Sequence, residues 1–162
     1  MNVNYVFIKC FLGEITVAET DDGVCAILFD KNIKSLEAMF SKAELKEASI
    51  KNSKWAREFL DFIESPENKL NISLHLEGTE FQKQVWKALL KIPVGKTASY
   101  KDIAIKIRRP LAVRAVANAC GANKIPVIIP CHRVISSNGD IGGYSGGLDI
   151  KKKLLQHEGI KF

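Results

Sequence analysis

A chain of 162 residues with 46% hydrophobic composition and a formal net charge of +6 is long enough to bury a proper core, as one large domain or two small ones packed together. No apolar run approaches the ~20 residues that a bilayer span needs, so the expectation is a globular, soluble protein without membrane contact. The four cysteines, Cys10, Cys25, Cys120 and Cys131, show neither Cys-x-x-Cys spacing nor a Cys/His cluster, which argues against a disulfide scaffold and against a metal site. The start, Met1-Asn2-Val3-Asn4-Tyr5, has neither a basic n-region nor a cleavage signature; the reading is a cytoplasmic protein, nuclear in a eukaryote. The charge is uneven. Residues 1–76 hold nine Lys and Arg against twelve Asp and Glu, a net of −3, and residues 77–162 hold fifteen against six, a net of +9. A basic half of this kind fits either a nucleic-acid surface or a solvated lysine-rich face.

In chain order, Val3–Phe11, Glu14–Thr20 and Val24–Phe29 are β-rich runs separated by Gly13 and the Asp21-Asp22-Gly23 turn, which predicts an antiparallel meander. Residues 31–48 are charged and helix-permissive. A better helix runs from Lys54 to Glu64, capped by Ser53, with Trp55, Phe59, Phe62 and Ile63 on one face, and Ser65-Pro66 ends it. Leu70, Ile72, Leu74 and Leu76 alternate with polar residues and predict a strand with His75 on its polar, exposed face. Nothing in this half announces catalysis.

Gly78-Thr79 marks the boundary between domains 1–77 and 78–162. Thr79-Glu80-Phe81-Gln82 reads as a capping box opening a helix with Phe81, Val85, Trp86 and Leu89 inward. Ser99 caps another, with Tyr100, Ile103, Ala104 and Ile107 on one face; Arg108-Arg109-Pro110 breaks it, and a further helix spans Ala112 to Gly121. Two short helices about a tight basic turn fit a helix-turn-helix or an ordinary helix hairpin. In the second, Val113, Val116, Ala117 and Cys120 form the inward stripe and Arg114, Ala115, Asn118, Ala119 and Ala122 face out. That alanine-rich face suits close docking without base-specific donors.

Ile125-Pro126-Val127-Ile128-Ile129 reads as a buried extended segment, delivering the run Pro130-Cys131-His132-Arg133-Val134. Cys131 is either one more buried thiol or a nucleophile whose thiolate Arg133 and His132 favour. Extended geometry would point Cys131 and His132 to opposite sides, so that a water or a twist has to link them. The glycine-rich loop Ile141–Gly147 surrounds Tyr144 and lacks the pattern of a nucleotide phosphate loop. Asp149 caps a last helix, Ile150–Glu158, and a carboxylate at its C-terminal end implies a compensating partner such as His132.

Thr79-Glu80-Phe81-Gln82 through Trp86, Ile92-Pro93 with Gly95, Ser99-Tyr100, Arg114-Ala115-Val116, Asn123, Ile129-Pro130-Cys131-His132-Arg133-Val134 and Gly143-Tyr144-Ser145-Gly146-Gly147 together resemble the O6-alkylguanine-DNA alkyltransferases. The likeness is close over residues 78–160 and covers residues 1–77 only by length and strand-rich character. It implies an α/β (α+β) architecture: a small β-meander-plus-helices domain, then a mainly helical domain with a helix-turn-helix and an extended active-site segment. It further implies single-turnover transfer of the alkyl group of O6-alkylguanine, and of O4-alkylthymine, in double-stranded DNA to Cys131, by a monomer needing no cofactor and no metal. His132 would act as base through water, Glu158 would orient it, and Asn123 would tie the recognition helix to the active-site segment. Tyr100 would rotate the nucleotide and serve the leaving guanine, Arg114 would fill the vacated stack, and Ala115, Asn118 and Ala119 would meet the groove. Tyr144, Ser145, Val134, Pro126 and Gly142 would surround the base. Asn118 is larger than the small residue such a helix calls for. Two rivals remain open: a Cys-His hydrolase, disfavoured because Cys131 and His132 are adjacent, and a non-enzymatic helix-turn-helix protein with a structural cysteine.

Overall fold

The meander forms as its alternation dictates. In the computed structural model, which describes residues 1–162, β1 (Asn2–Cys10), β2 (Gly13–Thr20) and β3 (Gly23–Leu28) pair antiparallel. Side chains on alternate residues leave by opposite faces, so the sheet has two apolar sides. On one, Val3, Ala18 and Ala26 pack with Leu36 and Phe40, and Cys25 joins this cluster where the register of β2 against β3 shifts; the alternate set Val6, Ile8, Ile15 and Val17 is also buried, and α2 (Ala56–Glu64) packs along β1. α2 starts at Ala56 rather than at Lys54, with Trp55 and not Ser53 in its cap position; Ser53 still serves the helix start, its Oγ accepting from the Ala56 N–H at 2.9 Å. The buried Glu19 carboxylate accepts from Ser53 Oγ and from the Lys54 and Trp55 N–H groups, answering the free donors at that helix start.

Two further expectations for this half need correction. Residues 31–48 are helical only in α1 (Ile33–Met39); Glu44–Glu47 is a strand, β4, that pairs parallel with β1 and gives the order β3-β2-β1-β4. Residues 70–76 form no strand beyond one bridge, Leu74 to Val24. His75 is half-buried there rather than simply exposed, with Thr20 Oγ1 at 3.1 Å and Glu77 Oε1 at 3.2 Å from its ring nitrogens.

The chain divides into two compact units, Met1–Glu77 and Gly78–Phe162. The second is built on helices whose starts are written locally. α3 (Glu80–Leu89) opens on the Thr79/Gln82 capping box and α4 (Tyr100–Lys106) on a Ser99/Asp102 box. α5 (Val113–Gly121) follows the turn that makes the helix-turn-helix. Trp86 Nε1 donates to the Ala119 carbonyl at 2.9 Å and locks α3 to α5. Two residues just before α4, β5 (Ala98–Ser99), pair parallel with β6 (Val134–Ile135). The last helix, α6, spans Leu148–His157; Gly147 occupies its cap position, and Asp149, expected there, instead lies in the first turn, where a carboxylate still complements the helix dipole.

Candidate functional site

The segment expected to be extended is not. Residues 125–130 are buried as a bridged turn, with Pro126 opposite Ile129 and Val127 at φ 74°, and Cys131–Arg133 coil into a single 3₁₀ turn. The apolar run is buried, as its composition predicts, but it is no strand, because periodicity cannot separate a buried strand from a buried turn. Coiling changes the site: Cys131, His132 and Arg133 are all buried, instead of alternating between two sides.

Asn123, just past α5, holds this turn. Its Nδ2 donates to the Ile129 carbonyl at 2.9 Å and to Cys131 Sγ at 3.3 Å, while its Oδ1 accepts from the Ile125 N–H. The pairing of β5 with β6 sets Tyr100 in the wall of the same cavity as Cys131. That cavity, about 320 Å³, is also lined by Asn118, Cys120, Gly142, Tyr144 and Ser145. Val134 and Pro126, expected against the base, are buried and lie outside the lining. Gly142 has a positive φ, and a Cβ there would meet Tyr100 Oη at 3.0 Å, so only glycine lets the loop close over the tyrosine.

Behind the sulfur lies a network of charge. Glu158, at the end of α6, accepts from His132 Nε2 at 2.8 Å and from Arg133 through both Nε and Nη2 at 2.8 Å, and Arg133 Nη1 donates to the Ile92 carbonyl. Burial pushes the Glu158 carboxyl up, but these hydrogen bonds outweigh it and hold the group at about 2. Since a carboxylate only accepts, Nε2 of a neutral His132 carries the hydrogen and Nδ1 keeps a lone pair; Nδ1 is buried with no partner in the chain. Burial, helped by Arg133 and Lys151, lowers His132 below its ordinary value despite the pull of Glu158.

The expectation that Arg133 favours a Cys131 thiolate fails on the same geometry, because the guanidinium is committed to Glu158. Burial raises the Cys131 thiol, against lowering contacts from Asn123, Lys151 and the Tyr144 hydroxyl. At rest the group is a neutral thiol that needs a base. Lys151 joins the site without having been expected there. It is fully buried, with Nζ donating to the Val134 carbonyl at 2.7 Å and to the Gly143 carbonyl at 3.0 Å. Burial lowers it to about 8. Its spacing carries a signal: Lys151, Leu154, Leu155 and Glu158 share one helical stripe.

Of the residues expected at a DNA surface, Arg114, Ala115 and Asn118 are exposed on α5. Ala119 is not; it is 2% exposed beneath the Trp86 contact. The corrected stripe is Val116, Ala119 and Cys120 inward, with Val113 and Ala117 half-buried.

Residues 80–160 match the family model described as the DNA binding domain of 6-O-methylguanine DNA methyltransferase. The Escherichia coli protein named bifunctional transcriptional activator/DNA repair enzyme Ada is 42% identical over 160 residues, covering 96% of this chain, which spans 45% of that relative's length. A probable methylated-DNA–protein-cysteine methyltransferase of Acanthamoeba polyphaga mimivirus is 44% identical over 151 residues, covering 90% of this chain and 96% of that protein. Among solved structures, Mycobacterium tuberculosis OGT in complex with DNA superposes with a TM-score of 0.81 at 35% identity, over 96% of this chain and 92% of that one. With likeness in sequence across nearly the whole length and in fold across both units, the chain belongs to the O6-alkylguanine-DNA alkyltransferase, or methylated-DNA–protein-cysteine methyltransferase, family.

Proposed function

We propose that this protein repairs double-stranded DNA by direct reversal, moving the alkyl group of O6-alkylguanine to Cys131 in a single irreversible turnover. The observation that carries the reading is the setting of Cys131: a buried sulfur on the wall of a base-sized cavity, held by Asn123, backed by a neutral histidine whose free nitrogen can take a proton. The exposed face of α5 enters the groove, Arg114 fills the gap in the stack, and the target nucleotide swings into the cavity, because its reacting carbon is out of reach inside a duplex.

His132 Nδ1 takes the thiol proton through one water, and Glu158 and Arg133 fix the ring so that the lone pair stays on that nitrogen. The sulfur attacks the alkyl carbon: the C–S bond forms as the C–O6 bond breaks, and the electron pair leaves with the base. The Tyr100 hydroxyl, raised above its ordinary value chiefly by burial and so kept protonated, donates a proton to the departing guanine. Lys151, whose electrostatic influence on Cys131 lowers the thiol, stabilises the sulfur as charge develops on it. The product is a thioether, which has no acyl carbon for water to attack, so the protein is consumed. O4-alkylthymine presents the same alkyl ether and is a second substrate of the reading.

The test is the intact mass of the protein after incubation with duplex DNA holding one O6-methylguanine. One methyl group on Cys131, with repair ending at one equivalent, is the expected result. Turnover past one equivalent, or methyl on Cys10, Cys25 or Cys120, sinks the mechanism. Failure of Cys131→Ala to abolish transfer while DNA binding persists would sink it too.

A further inference from the structure

Away from the cysteine, the ends of α3 and α4 form a groove of about 300 Å³ that shares no lining residue with the cavity at Cys131. Lys87 and Lys91 stand on one side and Lys106 and Arg108 on the other, over Ala88 and Ile107. All four cations are exposed, none forms an ion pair, and no carboxylate lines the groove.

Part of this charge has a local explanation. Lysines near a helix C-terminus complement its dipole, and two helices end here. Each such terminus carries about half a negative charge, so two offset about one of the four positive charges and leave an excess of about three. Arg108 adds a second observation. It closes α4 at φ 63°, with its N–H bonded to the Ile105 carbonyl and that of Arg109 to the Ala104 carbonyl. Glycine adopts this left-handed conformation at lower cost. An arginine in this position, beside three lysines without ion-pair partners, adds a fourth cation where glycine would close the helix at lower cost.

We propose that this groove is a second DNA-backbone site, binding phosphates of the duplex whose minor groove α5 enters. The inference rests on the function proposed above. In a helix-turn-helix the first helix crosses the backbone, and the groove opens on the end of that helix. Four cations without carboxylates suit a ligand that is anionic along its length, with no requirement for base sequence.

The experiment compares wild-type protein with Lys87→Ala/Lys91→Ala/Lys106→Ala/Arg108→Gly on an unmodified 24-base-pair duplex over a range of salt. Each phosphate that the protein no longer neutralises lowers the slope of log affinity against log salt by about 0.9, so the slope should fall by about 2–4, with affinity at low salt down about tenfold or more. Reaction with free O6-benzylguanine, which needs no duplex, should keep its wild-type rate. Arg108→Gly alone should raise the melting temperature while weakening DNA binding; a residue serving only the turn would leave affinity unchanged. An unchanged salt slope in the quadruple variant overturns the assignment and leaves the groove to an acidic protein partner. Absence of adduct formation or of duplex binding in the wild type would instead defeat the proposed function.

Discussion

At Cys131 two effects oppose each other: burial holds the proton on, while Asn123, Lys151 and Tyr144 stabilise the charge that appears when it leaves. In the proposed mechanism proton transfer to His132 and the charge of Lys151 both act on the sulfur, and each should leave a limb in the pH profile. His132 titrates below 6.5, chiefly because it is buried, so reaction with free O6-benzylguanine should hold its rate at pH 6.5 and fall only at lower pH. Lys151 loses its charge near pH 8, so the rate should turn down above that value. Lys151→Met should be slower at pH 7 by about tenfold or more, on the order of one charge–charge interaction removed, and should lack the downturn. A downturn that survives in Lys151→Met would assign that limb to another group. Arg133 is the other residue whose removal is decisive. Arg133→Ala leaves a buried carboxylate without its cation and should cost about 3–5 kcal/mol, read from urea unfolding.

Asn123 does at the scale of elements what a covalent link would do, joining the end of α5 to the turn that carries the sulfur. Asn123→Ala deserts several buried partners and should destabilise by about 1–3 kcal/mol, and it should slow the free-base reaction as well as the duplex reaction. Unchanged free-base kinetics would show that the sulfur is held without it. Gly142→Ala should act on the loop instead: the methyl presses on Tyr100 Oη, so benzyl transfer should slow more than methyl transfer. The starts of α3 and α4 are legible in the chain because a capping box is written within four residues. The strand β4 and the turn at 125–130 are not, since the first needs β1 as a partner and the second depends on Asn123 and on surroundings that let Val127 take a positive φ. The same division holds in the site. The Cys-His pair and a partner for Glu158 can be read from the chain, whereas the commitment of Arg133 to Glu158 requires α6 to be folded back.

For the whole molecule the buried charges set an acid limit. His132 is lowered on folding, so the unfolded chain takes up more protons below about pH 6.5; its contribution is present above that value and is lost as pH falls toward the folded value. Glu158 is lowered from 4.5 to about 2. Its contribution is complete above about 4.5 and disappears as pH drops toward 2. The melting temperature should therefore fall in two stages on acidification, and Glu158→Gln should remove the second. A single-stage fall in the wild type would contradict the pairing. The link from residues 131–133 to residue 158 also orders the protein in time. α5 is synthesised before the carboxylate that Arg133 pairs with, so a chain ended before residue 158 should be less stable than the full-length chain by about 3–5 kcal/mol, the cost of leaving a buried charge without its partner. Such a fragment should be cleaved by a nonspecific protease faster than the full-length chain, because proteolysis samples the unfolded population.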